Sequence, residues 1–190
     1  MLENLVKKNR SYRKFKEQKG ISNKIIKDII NLARLSPSSA NKQPLKYIIL
    51  NKKDDTKKIF PHLNWAGYLK DWDGPVKGER PAAYILVLGD QNISNNFETD
   101  AGIAMQTILL GATEKNINGC ILGSINREAI RSIYNIEKKH RLLYVIALGM
   151  PAEEIKIENL PTDGDIKYWR DENGIHHVPK RELDNIIINT

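Results

Sequence analysis

The spacing of apolar positions predicts two helices in the first third of the chain. Apolar residues within positions 2–6 are spaced as on one helical face, and this short helix should end near Asn9. A second helix is predicted to begin after Ser22, a good N-cap residue, and to end before Pro37. Its apolar stripe consists of Ile25, Ile26, Ile29, Ile30 and Ala33. A stripe of this kind is typical of a helix that buries one face in a core.

Farther along, apolar runs predict a sheet and one unusually apolar helix. Residues 97–115 are apolar nearly all round the helix, so this helix should be buried on several sides, at the centre of the domain or in a subunit interface. Strands are predicted at 46–50, 83–88, 119–123 and 142–148, with short helices capped by Asp54 or Asp55 and by Asn126. Strands separated by helices of unequal length favour an α+β or α/β layer structure over a helical bundle.

Two segments lack such periodicity. Residues 62–80 contain two tryptophans and three glycines and are predicted to form a long loop, which in a compact domain is usually functional or mobile. Residues 161–190 are polar, with too little apolar surface to fold alone, so we expect this tail to pack on another part of the protein or on another subunit. Since no repeat or linker is visible, residues 1–190 are interpreted as one domain.

Positive charge is concentrated at the start of the chain. Residues 1–60 carry 16 lysines and arginines against 5 acidic residues, a local charge of +11, whereas the remainder carries −4. A basic third predicts an anionic partner, such as phosphate, nucleic acid or an acidic surface, although a solvated lysine-rich face is an alternative. Arg10 and Arg13 are the stronger phosphate candidates, because a guanidinium group binds phosphate with two parallel hydrogen bonds.

The remaining composition points to a cytoplasmic protein. Cys120 is the single cysteine, which excludes an internal disulfide and fits a reducing compartment. The first residues lack the apolar stretch of a secretory signal, and no apolar run reaches the roughly 20 residues that a membrane span needs. Phosphate-loop, dinucleotide-binding, hydrolase and zinc-protease motifs are missing, and no metal site is predicted, because the histidines and Cys120 lack ligand spacing.

Three polar segments could carry chemistry. Residues 10–13 place two guanidinium groups and a hydroxyl within four positions, and residues 38–44 crowd hydroxyl and amide groups into a loop. Lys180 and Arg181 form another cation pair that could meet a phosphate. Each segment alone could be merely solvated, so none is decisive by itself.

Taken together, six motifs in register resemble the nitroreductase family over about residues 5–187. They are R-S-x-R-x-F at 10–15, S-P-S-x-x-N-x-Q-P at 36–44, the central helix at 100–110, N-G-C-I-L-G-S at 118–124, L-G-M-P at 148–151 and V-P-K-R at 178–181. The sequence departs from the family at Leu45, where an aromatic residue is common. The 62–80 loop stands where substrate-covering segments often lie.

The resemblance implies an α+β sandwich, with helices flanking a mostly antiparallel sheet, in an intertwined homodimer with one FMN at each subunit interface. The 161–190 tail would then pack on the partner subunit. The cofactor-binding residues implied by the motifs are Arg10, Ser11 and Arg13, Ser38, Ser39 and Asn41 from the partner subunit, the backbone of Leu122, Gly123 and Ser124, and Lys180 or Arg181 at the phosphate. Because flavin N5 carries the hydride, no catalytic side chain is predicted.

The implied activity is an FMN-dependent oxidoreductase that passes electrons from NADH or NADPH to a nitro-aromatic, quinone or similar small-molecule acceptor by a ping-pong mechanism. One alternative keeps the fold and FMN but performs dehalogenation, ene reduction or oxidase-type chemistry, because fold alone does not fix function. Another is a basic nucleic-acid-binding domain, whose affinity would fall steeply with salt. Aromatic residues are sparse in the basic third, and no recognised nucleic-acid-binding module fits it.

Overall fold

A four-stranded antiparallel sheet lies at the centre of the fold. The structure is a computed structural model that describes residues 1–161 and 163–188; positions 162, 189 and 190 of the predicted tail lie outside the described residues. The strands are β1 (Leu45–Leu50), β2 (Ala83–Asp90), β3 (Asn118–Leu122) and β4 (His140–Gly149), in the order β1-β2-β4-β3.

Five α-helices in the described part of the chain flank this sheet, so the class is α+β, as predicted. They are α1 (Leu2–Lys8), α2 (Asn23–Leu35), α3 (Lys53–Ile59), α4 (Glu98–Glu114) and α5 (Arg127–Ile133). Short 3-10 turns lie at Ser39–Asn41, Phe60–His62 and Leu183–Asn185. No helix in the described part of the chain is long and apolar enough to cross a membrane.

Strand β2 separates two hydrophobic cores, because every one of its residues is buried. Side chains alternate across a strand, so Ile85 and Val87 join the core beneath α2 and α4. Tyr84 and Leu86 join the core on the opposite face, together with Trp65 of the 62–80 loop. The sheet is thus covered on both faces.

Two predicted helix caps are confirmed and one is wrong. The Ser22 hydroxyl accepts a hydrogen bond from the amide of Ile25 at 3.3 Å, and Asn126 caps α5 in the same way. Helix α3 begins after Lys52, with no side-chain cap. Asp54 and Asp55 lie instead within its first turn, where negative charge complements the helix dipole.

Helix α4 has the predicted length, but within this chain it is not buried all round. Ala104, Ile108 and Ala112 are buried against α2 and the sheet. Ile103 is 37% exposed, and Gln106 on the same side is also exposed. One side of the longest apolar helix therefore faces outward.

The C-terminal part of the chain forms a second, small sheet that the sequence did not predict. Its strands are β5 (Ile155–Leu160), β6 (Trp169–Arg170) and β7 (His176–Arg181), in the order β5-β7-β6. Strands β5 and β7 are parallel, with Ile155 opposite His176. Beyond β7, four large apolar residues are exposed, namely Leu183, Ile186, Ile187 and Ile188.

The 62–80 loop matches its prediction. Between the 3-10 turn at Phe60–His62 and β2 it contains neither helix nor strand, apart from an isolated bridge between Leu63 and Ile125. Trp65 is buried in the second core, where its ring occupies the space beside Gly74. Trp65 therefore has a structural role in anchoring this loop.

Gly119 is required where the N-terminal segment meets the sheet. A Cβ atom at this position would lie 2.0 Å from the carbonyl oxygen of Ala147, and a backbone atom cannot move aside cheaply. On the other side of β3, Ser11 forms a bridge to Gly119, and the amide of Tyr12 donates to its carbonyl at 3.1 Å. The segment that follows α1 is fixed to β3 by this contact.

We therefore expect Gly119→Ala to lower the free energy of unfolding by about 1–3 kcal/mol, because the added methyl group overpacks the strand. Urea unfolding followed by circular dichroism measures this change. Gly20→Ala is the control and should change stability little, since nothing lies within 4 Å of its Cβ position. Equal stability of the two variants would contradict the close approach at Gly119.

Candidate functional site

A cavity of about 310 Å³ collects basic side chains from both ends of the chain. Arg10, Ser11 and Arg13 line it from the segment after α1, and Lys180 lines it from β7. Helix α4 supplies Gln106 and Leu109 to its wall, and β3 supplies Ile121. Arg181, the second cation of the C-terminal pair, is exposed and does not line this cavity.

The two arginines are held in place by neutral groups. The Nη2 atom of Arg10 donates to the carbonyl of Val6 at 2.8 Å, whereas its Nε is buried without a hydrogen-bond partner among the described residues. The Nη1 atom of Arg13 donates to the carbonyl of Ser11 at 3.1 Å. Its guanidinium carbon lies 4.8 Å from the ring centre of Tyr168. None of these partners carries a negative charge that would pair with either guanidinium group.

That charge is not compensated nearby. In residues 1–161 and 163–188, no carboxylate oxygen lies within 4.0 Å of the side-chain nitrogens of Arg10, Arg13 or Lys180. Partial burial lowers the pKa of Arg10, in keeping with the cost of placing an uncompensated cation there. Three cations around one cavity suit an anion that accepts several charge-assisted hydrogen bonds, and a phosphate monoester is such an anion.

A buried polar network fixes the position at which this segment leaves α1. The side-chain amide of Asn9 donates to the Thr113 hydroxyl at 3.0 Å, and that hydroxyl also contacts the Asn118 side chain at 2.8 Å. Gln106 donates to the Asn9 side chain at 3.2 Å. Because buried polar groups are costly unless hydrogen-bonded, the network holds α1 against α4 in one register.

Glu153 fixes the main chain of Arg13 without neutralising its side chain. Its Oε1 atom accepts hydrogen bonds from the amides of Arg13 and Lys14, the latter at 3.0 Å. Its Oε2 atom accepts from Nη2 of Arg170 at 2.8 Å. No signal in the sequence pointed to Glu153, which lies two residues after the L-G-M-P motif and next to Glu154.

His176 lines the same cavity, a position that the spacing of the histidines in the sequence did not indicate. Its Nε2 atom lies 3.4 Å from Nη1 of Arg13, so the neutral ring accepts that hydrogen bond. Burial, and then the positive charge of Arg13, lowers the pKa of His176 to about 4. The ring is therefore neutral near pH 7 and does not compete with an anion for Arg13.

The polar loop at residues 38–44 borders a different cavity, of about 170 Å³. Buried Asp100, at the start of α4, accepts a 2.6 Å hydrogen bond from the Ser38 hydroxyl and a 2.9 Å bond from the amide of Ser39. Asn41 is exposed and forms its hydrogen bonds within its own loop, to the Gln43 side chain and, through its main-chain amide, to the carbonyl of Ser38. In one chain, these residues and the cationic cavity form separate sites.

The loop backbone is strained. Ala40, Asn41 and Gln43 adopt positive φ angles of 49°, 53° and 52°. For residues with a side chain, this left-handed conformation costs energy and persists only where surrounding contacts enforce it. The contacts of Asp100 supply that enforcement. Asp100 is the first residue of the central-helix motif at 100–110, but the sequence did not predict its role in shaping the loop.

The predicted cofactor-binding residues Leu122, Gly123 and Ser124 lie at the end of β3 and just beyond it. Ile121, which lines the cationic cavity, is followed by buried Leu122 and by exposed Gly123 and Ser124. The Ser124 hydroxyl accepts a hydrogen bond from Asn64 at 3.1 Å. This segment therefore leads away from the cavity along the edge of the sheet, next to the 62–80 loop.

The family and sequence comparisons point in one direction. Residues 6–150 match the model described as the nitroreductase family. A protein of Archaeoglobus fulgidus, provisionally named NADH dehydrogenase/NAD(P)H nitroreductase, is 28% identical over 153 residues, which are 76% of this chain and 82% of that protein. A protein of the same name from Methanothermobacter thermautotrophicus is 26% identical over 154 residues, 78% of this chain and 76% of that protein.

Solved structures share the fold. A nitroreductase family protein from Streptococcus pneumoniae superposes with a TM-score of 0.71 at 16% identity, covering 100% of both chains. A provisionally named nitroreductase from Exiguobacterium sibiricum, solved in complex with FMN, superposes with a TM-score of 0.65 at 18% identity, covering 80% of this chain and 89% of the other. These likenesses concern the arrangement of the backbone.

The buried, neutral state of His176 predicts a loss of stability in acid. In the unfolded chain a histidine binds a proton near pH 6.5, whereas native His176 does so only near pH 4. The stabilising contribution is therefore present above pH 6.5 and is lost as the pH falls toward 4. We expect the Tm of His176→Gln, measured without added ligand, to fall less over this range than that of the original protein.

His177→Gln is the matched control. Glu158 is the main group that raises the pKa of His177, so this histidine contributes stability at low pH that is lost as the pH rises through its raised pKa. Its replacement should leave the acid-side loss of Tm in place. If His176→Gln and the original protein lost Tm equally between pH 6.5 and 4, His176 would not be held neutral.

Proposed function

The chain belongs to the nitroreductase family, and on that premise we propose that it is an FMN-dependent oxidoreductase passing electrons from NADH or NADPH to a small oxidised acceptor. Nitro-aromatics and quinones are the acceptor classes we propose. Membership of a family whose named relatives are oxidoreductases supports the general reaction class. The FMN complex of the Exiguobacterium sibiricum protein supports the choice of cofactor.

The observation that carries the proposal is the uncompensated cationic cavity. Arg10, Arg13 and Lys180 face a common space, and the buried Nε of Arg10 has no partner in the described part of the chain. A phosphate monoester would supply both the missing negative charge and the missing acceptors. The site therefore fits the phosphate end of FMN, with Ser11 beside it for the attached polyol. Lys180 rather than Arg181 is the C-terminal cation that we assign to the phosphate.

We propose that a homodimer completes the site. Ser38, Ser39 and Asn41 lie apart from the cationic cavity in one chain, so they would reach a flavin bound by a second copy. The outward side of α4 and the apolar residues beyond β7 offer surface for such an association. We assign part of the 161–190 tail to the partner, because the isoleucines at its last described positions, 186–188, are 50–89% exposed.

The chain contributes binding and orientation. When bound, FMN supplies the electron-transfer chemistry, so no side-chain acid or base is assigned. Arg10, Arg13 and Lys180 hold the phosphate end, and Leu122, Gly123 and Ser124 would border the ring along the edge of the sheet. We expect ping-pong kinetics, with the nicotinamide and the acceptor using the same open face in turn.

An absorption spectrum tests this function. We expect purified protein with about one FMN per chain, bleached by NADH or NADPH without oxygen and recoloured by a nitro-aromatic or quinone. Yellow protein that neither nicotinamide reduces would leave cofactor binding in place but overturn the proposed reaction. Protein that stays colourless after reconstitution with FMN would overturn the function as a whole.

Arg10→Ala combined with Arg13→Ala should give folded protein whose Kd for FMN is raised roughly 100-fold or more, because two charge-assisted partners of the phosphate are lost. Quenching of flavin fluorescence measures the affinity, and circular dichroism checks the fold. The charge-matched control is Lys16→Ala with Lys19→Ala, since both lysines are exposed and neither lines the cavity. Full FMN retention by the arginine variant would place the phosphate elsewhere.

A further inference from the structure

Glu153 lies at the centre of a chain of contacts that leaves the cationic cavity. Its side chain is 2% exposed, and its two oxygens divide their bonds between different parts of the protein. Oε1 accepts the amides of Arg13 and Lys14, and Oε2 accepts the guanidinium group of Arg170. A carboxylate this deeply buried is stable only while its donors remain in place, so its orientation depends on Arg170.

Arg170 is held in turn by the 62–80 loop. Its side chain is 15% exposed, and its guanidinium carbon lies 4.7 Å from the ring centre of Trp72. Stacking of this kind is a favourable cation–π contact. The main chain of Arg170 pairs with that of His176, which lines the cavity. Trp72 therefore packs against Arg170, the residue that orients Glu153.

A second contact runs beside the first. The ring of Tyr68, also in the 62–80 loop, lies 5.0 Å from the ring of Tyr168. Tyr168 faces the Arg13 guanidinium group at 4.8 Å. Tyr68 and Trp72 do not line the cavity themselves. Tyr68 reaches Arg13 through Tyr168, and Trp72 reaches it through Arg170 and Glu153.

From these contacts we propose that the 62–80 loop shapes the phosphate site, and that Glu153 is a positioning residue that transmits its contact to Arg13. The inference rests on the proposed function, because it takes the ligand of Arg13 to be the phosphate of FMN. It differs from the expectation that the aromatic residues of this loop cover the acceptor. Loss of Trp72 should then weaken FMN binding rather than acceptor binding.

Trp72→Leu tests the distinction directly, with Trp169→Leu as the matched control. Trp169 adjoins Arg170 in sequence, but its ring stacks on the ring of His177 and does not line the cavity. We expect Trp72→Leu to raise the Kd for FMN about threefold to tenfold, as the loss of one cation–π contact implies. With FMN saturating, its KM for menadione should remain that of the original protein. Trp169→Leu should change neither value.

Glu153→Gln tests the centre of the contact chain. We expect its Kd for FMN to rise at least about tenfold, because a buried charge pair loses one partner. Riboflavin lacks the phosphate, so its affinity should change far less. Arg170→Met should reproduce the defect, and Arg170→Lys, which keeps a cation for Glu153, should restore part of the affinity. These two variants keep the test available if Glu153→Gln does not fold.

The outcomes separate the inference from the function beneath it. If the original protein binds FMN but Trp72→Leu raises only the KM for menadione, the loop covers the acceptor and the inference is wrong. An equal loss of FMN and riboflavin affinity in the Arg170→Met variant would show general loosening and also overturn it. If the original protein binds no FMN, the proposed function fails and the inference fails with it.

Discussion

The site depends on keeping two guanidinium groups at one cavity without neutralising them. A carboxylate beside Arg10 or Arg13 would occupy the N–H donors that a phosphate needs and would neutralise their charge. The fold instead uses carbonyl oxygens, a neutral imidazole and an aromatic ring to hold the side chains. Glu153 is close by, but its Oε1 atom binds main-chain amides while its Oε2 atom binds Arg170. The positions of the two arginines are thus fixed, while their positive charges remain available to an anion in the cavity.

Helix α4 contacts the separate parts of the site and fixes their positions relative to one another. Its apolar side packs on α2 and the sheet, while three polar residues act at separate points along its length. Asp100 restrains the strained 38–44 loop, Gln106 lines the cavity, and Thr113 holds Asn9 at the end of α1. Asp100 and Thr113 are buried polar groups that must form hydrogen bonds, and the partners of both include segments that carry site residues.

Local patterns predicted what depends on local chemistry. Some features depend only on residues close together in sequence, namely the apolar stripe of α2, the caps at Ser22 and Asn126 and the apolar run of β4. The motif at 10–15 likewise indicated the cationic segment. The second sheet was missed because β5 and β7 are largely polar and lack an apolar run, so that they are stabilised by pairing with each other. The roles of Glu153 and His176 were missed for the same reason: burial and partners arise from contacts distant in sequence.

The most direct test of the central claim is a crystal structure of the protein with FMN bound. The account predicts that the phosphate lies within hydrogen-bonding distance of the side chains of Arg10, Arg13 and Lys180, with Arg181 outside that contact and Glu153 still bound to the amide of Arg13. A flavin whose phosphate lies elsewhere, with Arg10 and Arg13 facing solvent, would contradict it.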